Sequence, residues 1–184
     1  MIEIPIGVSN HHVHLTHDVI EKLFGKGYTL TLRRNLTQKK EYACEEVVDL
    51  KANGKIIEHV RVLGPERNYN QVELLRSDAK YLGLNPPVRD SGDLANSESI
   101  TVIGPKGEIT LNNSCIIATK HIHINSEDYP LLNTGDIVRV KVRDNLYIEN
   151  VHIKKKDTYT LEMHIDKDDA VKYNLNNGDK VILE

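Results

Sequence analysis

Residues 46–63 have the sequence EVVDLKANGKIIEHVRVL, which predicts a β-hairpin. Two apolar segments flank Asn53-Gly54, and an Asn-Gly pair in this position is a strong signal for a tight two-residue turn. Apolar stretches beside a turn return at residues 101–111 (TVIGPKGEITL), 138–148 (VRVKVRDNLYI) and 177–183 (NGDKVIL). Many short strands separated by turns are typical of β-barrels and β-sandwiches.

Short helices are predicted between these strands. Residues suited to the N-cap position precede short helical stretches at four places, namely Thr16, Ser77, Ser126 and Asp166. Their shortness indicates caps on barrels and not a helical scaffold. The sequence therefore predicts a mainly β protein with short α-helices.

The composition favours a globular protein and argues against several other classes. Apolar residues make up 39% and charged residues 28% of the 184 residues, as in a soluble globular protein. The net charge is only -3, so a general nucleic-acid binder is not expected. The apolar runs are too short to cross a bilayer, and the first residues do not have the pattern of a secretory signal. Two widely spaced cysteines fit a reducing cytosol, so we expect a cytoplasmic protein.

Two stretches of the chain repeat in the same order. Residues 9–15 (SNHHVHL) resemble residues 119–124 (TKHIHI), and residues 72–79 (VELLRSDA) align with residues 163–170 (MHIDKDDA). In this register Glu73 falls on His164. The repeat predicts two similar domains, residues 1–93 and 94–184, whose terminal strands can exchange between the halves.

The repeated His-x-His pairs are candidate metal ligands. On a strand, residues i and i+2 point to the same face, so both histidines of a pair can bind one ion. One His-x-His pair is weak support for a metal site, because such pairs are more often surface or hydrogen-bonded histidines than metal ligands. The repetition of the pair, with an aligned third ligand each time, favours metal binding. Zinc prefers three nitrogen or oxygen ligands at a catalytic site. The sequence predicts two such sites, His12/His14/Glu73 and His121/His123/His164.

The other reactive side chains allow simpler interpretations. Arg67 follows a Gly-Pro turn close to Glu73, and it is either a phosphate-binding fork or a solvated loop charge. Cys44 and Cys115 lack metal-ligand spacing and are interpreted as small buried residues and not as nucleophiles. His11 points away from the neighbouring pair, and His17, His59 and His152 are interpreted as ordinary surface residues.

These stretches together resemble the PduL-type phosphotransacylases, which are phosphate propanoyltransferases. The matching segments follow the family order and cover nearly the whole chain. They are residues 7–15 (GVSNHHVHL), 61–67 (RVLGPER), 71–73 (QVE), 87–94 (PVRDSGDL), 120–123 (KHIH) and 161–166 (LEMHID).

The resemblance implies two β-barrel domains capped by short helices, with two zinc ions per chain at the two triads above. It implies reversible transfer of a short acyl group, propanoyl or acetyl, between coenzyme A and inorganic phosphate. Arg67 would bind phosphate. The residues that would contact coenzyme A are Ser9, Asn10, Arg34, Arg61 and Leu63. A homodimer is the default expectation.

The sequence also departs from the family pattern. His11 stands where the family usually has Arg, and Val171 stands where it tends to have a polar contact to coenzyme A. Many members begin with an extension that directs them to a bacterial microcompartment involved in propanediol degradation. The first motif here starts at residue 7, so we expect that extension to be missing.

Three other functions remain open from the residues. A zinc hydrolase would use bound hydroxide to attack an ester or phosphoester. A structural zinc protein would normally supply four protein ligands per ion, whereas only three per site are found here. A ligand-binding barrel would bind coenzyme A without turnover. We expect direct attack of phosphate on the acyl carbonyl, because neither cysteine lies in a nucleophile motif and no Gly-x-Ser-x-Gly turn is present.

Overall fold

A computed structural model describes residues 1–184 as fourteen strands and three short helices. The strands are β1 (Ile2–Ser9), β2 (His12–His14), β3 (Leu32–Asn35), β4 (Tyr42–Ala52), β5 (Lys55–Gly64), β6 (Gln71–Glu73), β7 (Val88–Arg89), β8 (Glu98–Ile103), β9 (Glu108–Ala118), β10 (His121–Ile124), β11 (Ile137–Arg143), β12 (Leu146–Lys155), β13 (Glu162–Asp166) and β14 (Lys180–Leu183). The helices are α1 (His17–Phe24), α2 (Arg76–Leu82) and α3 (Lys167–Tyr173).

The chain forms two compact units. The terminal unit contains Met1–Asn10, Thr37–Lys39 and Thr119–Glu184, and the central unit contains His11–Leu36 and Lys40–Ala118. In the terminal unit, six strands close into a barrel in the order β1-β13-β10-β12-β11-β14. Closure leaves no free strand edge on the barrel. Its interior is filled by fully buried aliphatic side chains such as Ile4, Ile122, Ile148 and Val181.

The central unit also contains a closed ring of six strands. The ring runs β4-β5-β2-β6-β9 and closes through β8, which pairs with both β9 and β4. The strand β3 lies beside β4, and β7 lies beside β9. Its core includes Val13, Leu50, Val62 and Ile100, together with the buried side of α1. The prediction of two similar β-barrels with short helices is confirmed.

The predicted hairpins form where their turns require them. Ala52 pairs with Lys55 across Asn53-Gly54, and both turn residues have positive φ angles of 49° and 75°. Asn and Gly tolerate this backbone region best, which explains why they occupy the turn. The hairpins β8–β9 and β11–β12 form as predicted.

The predicted helix starts are partly confirmed. Asp166 caps α3 by accepting a hydrogen bond from the Asp169 backbone N–H at 2.8 Å, and Thr16 occupies the N-cap position of α1. Ser77 was wrongly predicted as a cap, because α2 begins at Arg76 and its N-cap residue is Leu75.

The helix predicted after Ser126 is absent. Residues 126–128 form a turn instead, in which Asn125 Oδ1 accepts a hydrogen bond from the Glu127 N–H at 2.8 Å. A side chain that bonds the backbone two residues ahead stabilises such a turn in place of a helix.

The compact units do not follow the predicted division at residue 93. Residues 1–10 group with the C-terminal strands, whereas residues 94–118 group with the central unit. The duplication of the two halves stays a prediction. None of the three helices has the length and hydrophobicity that a membrane-spanning helix needs.

Candidate functional site

The two His-x-His strands have the same neighbours in their respective units. In the central unit, β2 lies between the parallel strand β5 and the antiparallel strand β6, and His12 is paired with Glu73. In the terminal unit, β10 lies between the parallel strand β12 and the antiparallel strand β13, and His121 is paired with His164. Directly paired residues extend to the same side of a sheet, so each third residue meets its histidine pair.

The first triad, His12/His14/Glu73, converges in the central unit. Its candidate ligand atoms all lie within 4.8 Å of one another. Glu73 Oε2 is 3.2 Å from His12 Nε2, and Glu73 Oε1 is 3.9 Å from His14 Nε2. Burial lowers the pKa of His14 well below its usual value, and the neighbouring charges of His12 and Arg67 lower it further. His14 is therefore neutral at pH 7 and has a lone pair for a metal ion.

Gln71 supports this triad and was missed by the sequence analysis. Its side chain is fully buried, and its Nε2 donates hydrogen bonds to Glu73 Oε1 at 2.7 Å and to Ser91 Oγ at 2.9 Å. Its Oε1 accepts from the Gly92 backbone N–H at 2.7 Å. The signal was available, because Gln71 lies two residues before Glu73 on one strand and therefore on the same face.

The second triad, His121/His123/His164, converges in the terminal unit. Its candidate ligand atoms also lie within 4.8 Å of one another. His121 Nδ1 donates to the Thr119 carbonyl oxygen at 2.8 Å, which leaves the lone pair on Nε2. Burial lowers the pKa of His123 to about 3, and the charges of His164 and Lys154 lower it further. The pKa of His121 is also lowered, mainly by burial.

Both triads fit a divalent metal ion. Three imidazole nitrogens of the triads are buried and have no hydrogen-bond partner, namely His14 Nδ1, His123 Nδ1 and His164 Nε2. An unsatisfied buried nitrogen costs free energy unless another group satisfies it. Neutral imidazole and carboxylate groups are the donors that zinc accepts. The structure brings the three side chains of each predicted set together, one set in each unit.

Arg67 lies in the central unit close enough to influence the charge of His14. Its Nη1 donates to the Tyr69 hydroxyl at 2.6 Å and to Ser91 Oγ at 3.3 Å, and its Nη2 lies 3.3 Å from Glu41 Oε1. These contacts hold the guanidinium in one orientation. Its Nε–H donates to no protein group, so donor capacity remains for an anion.

The five predicted coenzyme A contacts divide between the units. Ser9 and Asn10 belong to the terminal unit, where Ser9 Oγ donates to the Ile165 carbonyl at 3.4 Å. The other three lie in the central unit. Arg34 is exposed on β3, and Leu63 is half-buried on β5. Arg61 Nη1 already donates to the Cys44 and Glu45 carbonyl oxygens, at 3.0 and 2.8 Å.

The structure also places the residues that the sequence analysis did not assign to a site. His11 Nδ1 lies 2.8 Å from Asp78 Oδ2. Cys44 and Cys115 are free and buried, as predicted, and burial raises the pKa of each thiol to about 12. A thiol with that pKa is not a nucleophile at neutral pH. Val171 is exposed on α3.

Comparison with known proteins gives one consistent result. The profile of the family described as phosphate propanoyltransferase matches residues 5–176. The phosphate propanoyltransferase of Thermotoga maritima is 44% identical over 183 residues, covering 97% of this chain and 87% of the relative. That of Lachnoclostridium phytofermentans is 45% identical over 171 residues, covering 91% and 80%.

A two-barrel protein with this similarity over nearly its whole length is an acyltransferase. The chain belongs to the phosphate propanoyltransferase family.

Proposed function

We propose that this chain catalyses the reversible transfer of a short acyl group between coenzyme A and inorganic phosphate, which yields an acyl phosphate. The acyl group is propanoyl or acetyl. Family membership supports the reaction class. The observation that carries the proposal is the arrangement of Arg67, with donor capacity for an anion, beside a triad of metal-ligand type.

We propose that each triad holds one zinc ion, His12/His14/Glu73 the first and His121/His123/His164 the second. Bound zinc would supply a Lewis acid that polarises the acyl carbonyl and offsets phosphate charge. The burial of the histidines keeps them neutral and ready to coordinate. Gln71 orients the Glu73 carboxylate through its 2.7 Å hydrogen bond.

Arg67 binds and orients the phosphate in this proposal. A planar guanidinium offers two parallel N–H donors to two phosphate oxygens, which fixes the anion in direction as well as position. Tyr69 and Ser91 hold the guanidinium from its Nη1 side, so the side chain loses little further freedom when phosphate arrives.

The acyl group passes directly to phosphate. A phosphate oxygen forms a bond to the acyl carbon through a tetrahedral oxyanion, and the carbon–sulfur bond then breaks. The attacking hydrogen phosphate gives up its proton to water, and coenzyme A leaves as a thiolate that takes a proton back from water, so the phosphate proton ends on the thiol. A covalent acyl-cysteine is not part of the proposal, because the thiols of Cys44 and Cys115 are buried and protonated.

Coenzyme A would contact the residues that match the family motifs, namely Ser9, Asn10, Arg34, Arg61 and Leu63. The homodimer and the cytoplasmic location stay predictions.

The test is release of free thiol from acetyl-, propanoyl- and butanoyl-coenzyme A, each with and without phosphate. We expect turnover only with phosphate, together with formation of acyl phosphate. Turnover without phosphate would support the hydrolase. Binding of coenzyme A without turnover in the zinc-loaded protein would support a ligand-binding barrel. Either result would overturn the proposal.

A further inference from the structure

A fourth polar side chain adjoins the second triad. Glu162 lies two residues before His164 on β13, so both side chains extend from the same face of the strand. Glu162 Oε2 is 2.8 Å from His164 Nε2, the length of a charge-assisted hydrogen bond. The residue is 8% exposed, and charged groups this deeply buried are rare without a partner.

His164 depends on this carboxylate. Its Nε2 is buried and makes no hydrogen bond in the present orientation of the ring, although Glu162 Oε2 lies 2.8 Å away. Glu162 Oε2 is therefore the group at bonding distance that can accept a hydrogen bond from the Nε2–H. A rotation of the His164 ring that points the N–H at this oxygen completes the hydrogen bond. An imidazole that carries its proton on Nε2 has its lone pair on Nδ1.

The carboxylate is itself held in place from two further sides. Thr37 Oγ1 donates a 2.9 Å hydrogen bond to Glu162 Oε1. Gly7 pairs in register with His164, and a Cβ atom at Gly7 would lie only 2.7 Å from the Glu162 carboxyl carbon. The bare glycine thus leaves the space that the carboxylate occupies.

The segment that carries Thr37 is fixed to the same strand region. Gln38 Nε2 donates to the Thr160 carbonyl at 2.9 Å, and the Thr160 N–H donates to Gln38 Oε1 at 3.1 Å. Gln38 is buried, so these two bonds are shielded from water. The two bonds hold the segment that carries Thr37, and Thr37 in turn holds the Glu162 carboxylate through its hydrogen bond to Oε1.

We propose that Glu162 is a positioning residue of the second triad, which holds His164 by its Nε2 and directs its Nδ1 toward the metal ion. This inference rests on the zinc sites of the proposed function. A metal-binding histidine commonly donates its second N–H to a carboxylate, which fixes the ring and increases its basicity as a ligand. Loss of such a partner typically weakens metal binding by about 10–100-fold.

The main test is Glu162→Gln, which removes the charge and keeps the shape. Zinc binding is measured by competition with a chromophoric chelator. We expect two zinc ions per chain in the unchanged protein, and in the variant we expect one of the two to bind about 10–100-fold more weakly. Glu46→Gln is the matched control, because Glu46 is also buried and accepts a hydrogen bond from a hydroxyl, that of Tyr28 at 2.8 Å. It should leave both zinc affinities unchanged.

A spectroscopic signature separates positioning from general structural support. Nitrogen-15 chemical shifts of His164 in the zinc-free protein should show the proton on Nε2, and Glu162→Gln should change this single tautomer to a mixture. A proton on Nδ1 in the unchanged protein, or two unaltered zinc affinities in Glu162→Gln, would overturn the inference. If the unchanged protein binds no zinc, the proposed function fails, while the tautomer still tests the contact between Glu162 and His164.

Two further variants test the same inference if Glu162→Gln does not fold. Gly7→Ala places a methyl group against the carboxylate without changing its charge, and Thr37→Val removes the donor to Oε1 without changing shape. Each variant should weaken the binding of the same zinc ion that Glu162→Gln affects. Each should also change the His164 tautomer toward the mixture expected for Glu162→Gln. Unchanged zinc affinity in both variants would also overturn the inference.

Discussion

Arg67→Lys separates charge from geometry at the proposed phosphate site. Three contacts engage the guanidinium, to Tyr69, Ser91 and Glu41. Lysine keeps the positive charge but has a single nitrogen, so it cannot maintain these contacts and also present a two-donor fork. The change should therefore remove at least one charge-assisted hydrogen bond to phosphate.

The expected size of the effect follows from that lost bond. A hydrogen bond to a charged group contributes about 1.5–3 kcal/mol. Since about 1.4 kcal/mol corresponds to a factor of ten, kcat/KM for phosphate should fall by roughly 10–150-fold. The KM for acyl-coenzyme A should change much less, because the charge of the site is kept.

The assay is thiol release from propanoyl-coenzyme A over a range of phosphate concentrations. Both protein thiols are buried with pKa values near 12, so they should add no signal to a thiol reagent in the folded protein. Arg139→Lys is the control, since Arg139 also lies over a tyrosine ring, 4.8 Å from the centroid of Tyr147. Unchanged phosphate kinetics in Arg67→Lys would refute the phosphate role of Arg67.

Three further predictions address the metal, the order of events and the core. Elemental analysis should find about two zinc ions per chain, and His121→Ala should lose one of them and nearly all activity; a protein without divalent transition metal contradicts this. The double change of Cys44 and Cys115 to serine should keep most activity, apart from a stability loss of about 1–3 kcal/mol per buried hydroxyl. Initial-rate plots against phosphate should intersect, whereas parallel lines with label trapped on the protein would indicate an acyl-enzyme. Ile122→Ala, in the core of the terminal barrel, should lower the free energy of unfolding by roughly 2–5 kcal/mol in urea denaturation. Leu131→Ala, at a residue that is 91% exposed, is the control and should change the free energy of unfolding by no more than about 0.5 kcal/mol.

The candidate ligands could be predicted because their spacing is a local property. Alternate residues of a strand share a face, so each His-x-His pair had to point in one direction wherever its strand lay. The same rule could have found Gln71 and Glu162, since each lies two residues before a predicted ligand on one strand. Their supporting roles depend on contacts with Ser91, Gly92 and Thr37, which are distant in sequence and meet these side chains only in the folded chain.

The hairpins were also fixed locally. Asn53-Gly54 and Asp144-Asn145 lie in tight turns, and the strands beside them pair with their nearest neighbour in sequence. The helix predicted at Ser126 failed for an equally local reason, because Asn125 bonds the backbone of a turn instead.

The sequence by itself determined the hairpin strands, their turns and the two sets of ligand types. Only the tertiary structure decided which distant strands pair, so that His12 lies beside Glu73 and His121 beside His164. It also decided that Thr37 joins the terminal unit, where it donates to Glu162. The physical reason is that turn and strand preferences depend on a few neighbouring residues, whereas closing a barrel selects strand partners by burying the whole apolar interior at once.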